Sequence, residues 1–284
     1  MKIATTVKEI RELRPLLKGT LGFVPTMGYL HQGHLSLVRK ARAENSSVIV
    51  SIFVNPTQFE SDEDLKHYPR NTERDIQMLA NENVDAVFMP EVAEMYPPGF
   101  GSWVEVGNLS SKLEGASRPG HFRGVTTILT KLFNIIQPDR AYFGQKDIQQ
   151  AIIVKKMVQD LNMDTKISIQ PIVREPSGLA MSSRNARLNP EERQKAGVIY
   201  QALKKAEEVW QAGEKDTARI KGAVESVLRS EPLISIDYVS IADAETLDEL
   251  ERIERPAFVL VAVKIGKIRL IDNMLLGEAK EVPE

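Results

Sequence analysis

The chain of 284 residues contains no cysteine. That excludes a disulfide framework, a thiolate nucleophile and a zinc–thiolate site. Long apolar runs are also missing: no stretch approaches the ~20 residues of a membrane-spanning helix. The opening Met1–Thr5 lacks the apolar core of a secretory signal and reads as leading straight into a helix. Neither sign of charge dominates, and a net charge of −2 gives no footprint for nucleic acid or an anionic membrane. These absences predict a soluble cytoplasmic protein with neither nucleic-acid nor membrane partners. Hydrophobic residues make up 42% of the chain, enough for a proper core in one large domain or two ordinary ones.

Histidine is scarce too, with four in all, yet two of them stand together in His31-Gln32-Gly33-His34. Behind them lies the apolar run Leu21–Pro25, which reads as a buried strand. Ahead, Leu35–Ala41 has helical apolar spacing. A strand–turn–helix junction places helix N-terminal amides at the carboxyl edge of a sheet, where anions and nucleotides bind. The i, i+3 spacing lets both imidazoles face one side and donate to phosphate oxygens. Gly144-Gln145-Lys146-Asp147 repeats the arrangement, with the run Ala141-Tyr142-Phe143 before it and a helical pattern from Ile148. Lys146 is thereby set near an anion, although a surface pair with Asp147 explains it equally well. Downstream, Gly178-Leu179-Ala180-Met181-Ser182-Ser183-Arg184-Asn185 combines two hydroxyls and a guanidinium, a set that suits a triphosphate but also occurs in solvated turns.

Apolar strands near 20–25, 47–54, 84–89, 140–144 and 166–172 alternate with helices near 33–44, 71–83, 125–136 and 147–160. This rhythm predicts a Rossmann-like, doubly wound parallel α/β sheet. Thr6-Val7-Lys8-Glu9 has capping-box spacing, and Pro15 ends the short helix behind it. Residues 90–124 break the rhythm with Pro/Gly loops around a small expected strand at 103–106. Asn189-Pro190 opens a helix expected to run to about 212, and another covers 215–230. Strands at 235–242, 257–265 and 267–271 follow, the last two as an antiparallel hairpin. The expected division is 1–175, a Rossmann-like domain, and 176–284, a smaller α+β domain that acts as a lid. Pro176 and Gly178 punctuate the border, and 178–186 is expected to order only with nucleotide.

Four longer strings in order resemble the pantothenate synthetase (pantoate–β-alanine ligase) family of the nucleotidyltransferase superfamily, which also holds the class I aminoacyl-tRNA synthetases. They are Pro25–His34, Phe53-Val54-Asn55-Pro56-Thr57-Gln58-Phe59, Gly144–Gln150 and Met181–Asn185. The resemblance covers essentially the whole chain. It implies ATP-dependent condensation of (R)-pantoate with β-alanine through pantoyl adenylate, releasing AMP and pyrophosphate. Neither half-reaction requires a protein nucleophile, in keeping with the absence of cysteine.

The resemblance also implies site residues. His34, His31 and Lys146 are the catalytic set, with His34 donating as pyrophosphate departs. Met27, Gly28, Tyr29, Leu30, His31, Gln32, Gly33 and His34 bind ATP, together with Gly144, Gln145, Lys146, Asp147, Val173, Met181, Ser182, Ser183 and Arg184. Gln58 and Gln150 hold pantoate, each offering a donor and an acceptor on a neutral head. Asn55 and Tyr68 are weaker candidates for the same cleft, and Arg118 and Arg123 reach phosphate or the β-alanine carboxylate or are plain loop charges. Mg²⁺ is expected with ATP, held largely by phosphate oxygens; no protein ligand is assigned, with Asp75 and Asp147 the possible contributors. A homodimer through the N-terminal domain is expected. Three rivals share parts of the pattern: an adenylyltransferase that keeps the nucleotide on its product, a synthetase charging tRNA, and a non-catalytic nucleotide-binding protein.

Overall fold

The structure is a computed structural model that describes residues 1–277. In chain order the first unit contains β1 (Lys2–Ala4), α1 (Val7–Leu13), β2 (Leu21–Thr26), α2 (Gln32–Glu44), β3 (Ser47–Ile52), α3 (Asp62–His67), α4 (Thr72–Asn81), β4 (Ala86–Phe88), α5 (Val92–Met95), α6 (Glu114–Ser117), α7 (His121–Ile136), β5 (Arg140–Gly144), α8 (Ile148–Asp160) and β6 (Lys166–Gln170). The second contains α9 (Pro190–Lys195), α10 (Val198–Gln211), α11 (Thr217–Arg229), β7 (Ile234–Asp243), β8 (Ala257–Ile265) and β9 (Ile268–Leu276). The compact units divide after Pro171.

In the first unit six parallel strands lie in the order β1-β4-β3-β2-β5-β6. Their side chains alternate between two apolar layers. Phe23 and Ile49 join Ile10 of α1 and the inner faces of α7 and α8. Val24, Val48 and Val50 join Leu35 and Val38 of α2 and Leu79 of α4. A sheet covered on both faces needs strands apolar throughout, which is why β3 reads as a nearly unbroken run. The chain winds outward from β2 through β3 to β4, then restarts on the other side with β5 and β6. Strand order therefore reverses between β2 and β5, and ligands of open α/β sheets bind in the crevice at such a reversal.

In the second unit three antiparallel strands, β7-β8-β9, carry α10 and α11. Ile199, Leu203, Ile220 and Val224 of the helices pack with Val259, Val261 and Val263 of β8. The chain is therefore doubly wound in its first part and α+β in its second. No described helix is long and apolar enough to cross a membrane.

Four sequence expectations change. The chain opens on a strand, because Lys2–Ala4 pairs with Ala86–Phe88 as an edge too short to show periodicity; the capping box of Thr6 and Glu9 then starts α1 as expected. No strand forms at 103–106. Val104 N–H donates to Thr127 Oγ1 and its carbonyl accepts from Thr126 Oγ1, so α7 takes the groups a neighbouring strand would use. α7 starts at His121 rather than 125. The helix after Pro190 breaks between Lys195 and Val198, where Gly197 lies so close to the Ser177 carbonyl that an added Cβ would be 2.5 Å from it.

Candidate active site

Three sequence motifs follow three adjacent strands at the carboxyl edge. β2 runs into the turn Met27–Leu30 and then His31. β3 runs into the turn Pro56–Gln58. β5 ends at Gly144 and passes through Gln145–Asp147 into α8. The β2 and β5 ends flank the reversal of strand order. A cleft of about 500 Å³ at this edge is lined by Met27, Gly28, Tyr29, Phe53 and Asp75 among others.

His31 is the N-cap of α2, and its Nδ1 accepts from Gly33 N–H (3.1 Å). His34 reaches back, its Nδ1 accepting from His31 N–H (3.4 Å). An imidazole cap of this kind does the work usually done by a serine or aspartate. It has a further consequence: with Nδ1 accepting on both rings, each neutral imidazole carries its proton on Nε2. The rings lie 4.0 Å apart, tilted by 32°. Burial, then His31, then Lys146 push His34 down to about 3, while Asp147 opposes them. His34 is therefore neutral at physiological pH, a donor through Nε2–H.

The turn after β3 is organised by Asn55, which is 1% exposed. Its Oδ1 accepts from Tyr96 Oη (2.8 Å) and Thr57 Oγ1 (2.9 Å). Its Nδ2 donates to Gln58 Oε1 (3.1 Å) and to the Gly124 carbonyl (3.1 Å). The Gln58 amide is thus oriented with its acceptor engaged and its Nε2 turned to Met27 Sδ (3.0 Å). A thioether is a weak acceptor, so the donor face of Gln58 has little to lose on meeting an anion. Burial raises the Tyr96 phenol above its ordinary range and keeps its proton in place for Asn55. Gly124 allows the close approach, since a Cβ there would lie 2.4 Å from the Thr57 carbonyl. Tyr96 and Gly124, which hold Asn55, lie outside the strings that the sequence offers, and no local signal marks them.

Lys146 pairs with Asp147 (3.3 Å), with the lysine side chain 16% exposed. Gln150 lies in the first turn of α8, half-buried, beside Gln149, which is buried and bonded to Leu109 and Lys112 carbonyls. Of the weaker candidates, Tyr68 packs edge-on against Phe59. Arg118 pairs with Glu60 at 3.0 Å. Arg123 stacks over Trp103 at 4.9 Å. His121 Nδ1 lies 2.8 Å from the Gln58 carbonyl and His67 Nδ1 2.7 Å from the Glu63 carbonyl, both on backbone. Asp75 accepts Tyr29 N–H (2.7 Å) and Leu30 N–H (2.8 Å). Burial raises this carboxyl, and the Leu30 and Tyr29 amides partly offset it. Among the described residues no group of three or more His, Asp or Glu is placed to hold a metal ion.

In the second unit, Val173 and Met181 belong to a small antiparallel turn. Met181 N–H donates to the Val173 carbonyl and Glu175 N–H to the Leu179 carbonyl. Arg174 makes a two-pronged pair with Asp272 (2.6 and 3.1 Å) and stacks 4.0 Å over Tyr200. Asn185, buried, donates to Glu175 and to the Ala180 carbonyl. Ser182 caps the short turn Ser183–Arg187. The segment is braced by its own bonds.

A family model described as pantoate-beta-alanine ligase matches residues 2–275. A pantothenate synthetase from Thermotoga neapolitana is 57% identical over 280 residues, covering 98% of this chain and 100% of that protein. One from Roseiflexus sp. is 55% identical over 276 residues, covering 97% and 99%. A crystal structure of the Thermus thermophilus enzyme superposes with a TM-score of 0.93 at 48% identity, covering 96% of this chain and 99% of that one. A Francisella tularensis pantoate-beta-alanine ligase complexed with beta-gamma ATP and beta-alanine gives 0.80 at 38%, covering 97% of each. With the family model spanning both units and these identities over nearly full length, this chain belongs to the pantoate–β-alanine ligase family.

Proposed function

We propose that the enzyme condenses (R)-pantoate with β-alanine at the expense of ATP in two steps. The pantoate carboxylate attacks the α-phosphorus of ATP, the bond to the bridging oxygen breaks, and pyrophosphate leaves. The amine of β-alanine then attacks the acyl carbon of pantoyl adenylate, loses a proton, and expels AMP as the amide forms. The observation that carries this reading is the paired imidazoles, both fixed as Nε2–H donors at the head of α2 where strand order reverses. Donors already aimed at the phosphate stabilise charge as it develops on its oxygens. His34 serves the bridging oxygen, His31 the β,γ side, and Lys146 the charge gathering on the α-phosphate. Ser182, Ser183 and Arg184 supply further triphosphate contacts, with Val173 and Met181 near the base.

Gln58 presents its Nε2–H₂ to pantoate, and Gln150 is the second pantoate amide. A neutral amide orients a carboxylate without the loss of nucleophilicity that a salt bridge brings. Mg²⁺ accompanies ATP, held by phosphate oxygens as is usual with nucleotides. The acidic residues nearest the site are already engaged, Asp75 with backbone amides and Asp147 with Lys146, and no step is assigned to the metal. The protein is proposed to act as a cytoplasmic homodimer, which sedimentation velocity would test for assembly.

Incubation with pantoate, ATP and β-alanine should yield AMP and pantothenate together. With ¹⁸O in the pantoate carboxylate, label should appear in AMP, because the adenylate oxygen stays on phosphorus when the amine attacks carbon. Label retained wholly in pantothenate would exclude the adenylate route, and formation of ADP would exclude attack at the α-phosphorus.

A further inference from the structure

Asp75, named by the sequence as a possible contributor to Mg²⁺, has both carboxylate oxygens bonded to backbone in the fold. It lies on α4, 1% exposed, outside every motif that suggests the function. Both carboxylate oxygens are spent on consecutive backbone amides, Tyr29 N–H at 2.7 Å and Leu30 N–H at 2.8 Å. Successive amides that converge on one point form a concavity suited to an anion. Here the anion is internal.

The turn so held is unfavourable on its own. Gly28 has φ +80° and Tyr29 φ +50°, and a side chain at φ near +50° is uncommon outside asparagine and aspartate. Such a conformation persists only where its surroundings over-determine it. Asp75 is positioned to do so: its Oδ2 would be 3.1 Å from a Cβ on Gly28, so it packs against the turn as well as bonding it. The turn leads directly into Leu30, 1% exposed, and His31, whose cap geometry fixes the donor nitrogens of both imidazoles. The Tyr29 and Leu30 amides, being filled, are not the groups that meet phosphate.

We infer that Asp75 is a positioning residue for adenylate formation: its buried carboxylate clamps the Met27–Leu30 turn and thereby sets His31 and His34 against the nucleotide. The inference rests on the reaction proposed above and adds a residue to it. The Gln58 amide touches this turn only through the weak Met27 Sδ acceptor, and its orientation is set by Asn55, which Tyr96 and Thr57 hold. Loss of the clamp is therefore expected to separate the chemical step from pantoate binding.

In Asp75→Asn one oxygen becomes an NH₂ that faces a backbone donor, so one amide loses its acceptor. Single-turnover formation of pantoyl adenylate at saturating ATP and pantoate should fall on the order of 10- to 100-fold, the usual cost of a displaced catalytic group. Pantoate affinity by calorimetry should stay within about twofold of the parent, as its contacts lie elsewhere. A rate close to the parent's in the folded variant, or a parallel loss of rate and pantoate affinity, would overturn the inference. If the variant does not fold, hydrogen exchange in the unmodified protein decides: the Tyr29 and Leu30 amides should be protected, and exchange as fast as in open loops would overturn the clamp. A parent protein that makes no pantothenate overturns the reading of the function; a parent that makes it beside an equally active variant overturns only the clamp.

Discussion

The head of α2 and the Met181–Asn185 segment are both short polar stretches proposed to meet the nucleotide, yet they are held in different ways. At the head of α2 the functional groups are themselves structural. The imidazoles cap the helix, and the same bonds that close the cap choose their tautomers. At Met181–Asn185 the bracing comes from groups other than the two serines and Arg184: Asn185 bonds Glu175 and the Ala180 carbonyl, and Arg174, paired with Asp272, bonds the Gly178 carbonyl. A site whose chemistry depends on which nitrogen bears a proton is built where folding settles that choice. A site that supplies contacts to a charged tail needs only a steady frame. The bonds of Asn185 and Arg174 predict a segment already held before ATP binds, against the expectation from Pro176 and Gly178 that 178–186 orders only with nucleotide.

The sharpest break of this comparison is His34→Ala. Loss of a preorganised donor should lower the rate of adenylate formation by ~10²–10³, with ATP affinity little changed; single-turnover kinetics and calorimetry would check both. On the other side, Arg174→Ala leaves Asp272, whose side chain is 2% exposed, buried without its two-pronged partner. Removal of one partner of such a pair costs about 3–5 kcal/mol, so denaturant unfolding should show the second unit destabilised. Gln58→Ala should raise the pantoate requirement by about 1–3 kcal/mol in binding, the cost of an unmet polar group, with ATP affinity intact. Tyr96→Phe removes one of the two hydroxyls on Asn55 and should weaken pantoate binding by only ~0.5–1.5 kcal/mol. Smallest of all, hydrogen exchange at 178–185 should show protection without ATP and a modest gain with it. Protection that appears only with ATP would restore a segment that orders on binding.

Much of this was legible in the chain because the signals are local. Apolar runs followed by Gly and helical spacing located β2 and β5 and the groups that follow them, a nearly unbroken apolar run located β3, and the capping-box spacing of Thr6 and Glu9 located α1. The positioning residues were not legible because their partners are remote. Asp75 meets Tyr29 across 46 residues and Tyr96 meets Asn55 across 41, and nothing near either residue announces the contact. The alternation of Val104 and Val106 mimics a strand, but a strand also needs a ladder, and two α7 threonines take those backbone groups instead. Arg118 and Arg123 stood open between a site role and a loop charge; the fold engages them with Glu60 and an indole.

The claim that the head of α2 presets His34 as a neutral donor has a direct test in ¹⁵N NMR of the histidine side chains across pH. An ordinary imidazole titrates near 6.5. Burial brings His34 down to about 3, so between these values the unfolded chain binds a proton that the folded protein does not. On this account the contribution of His34 to stability is intact above pH 6.5 and declines as pH falls from there toward 3. The predicted result is a His34 ring that shows the neutral Nε2–H tautomer unchanged from pH 8 to pH 5; a ring that becomes doubly protonated near 6.5, or one that carries its proton on Nδ1, would contradict it.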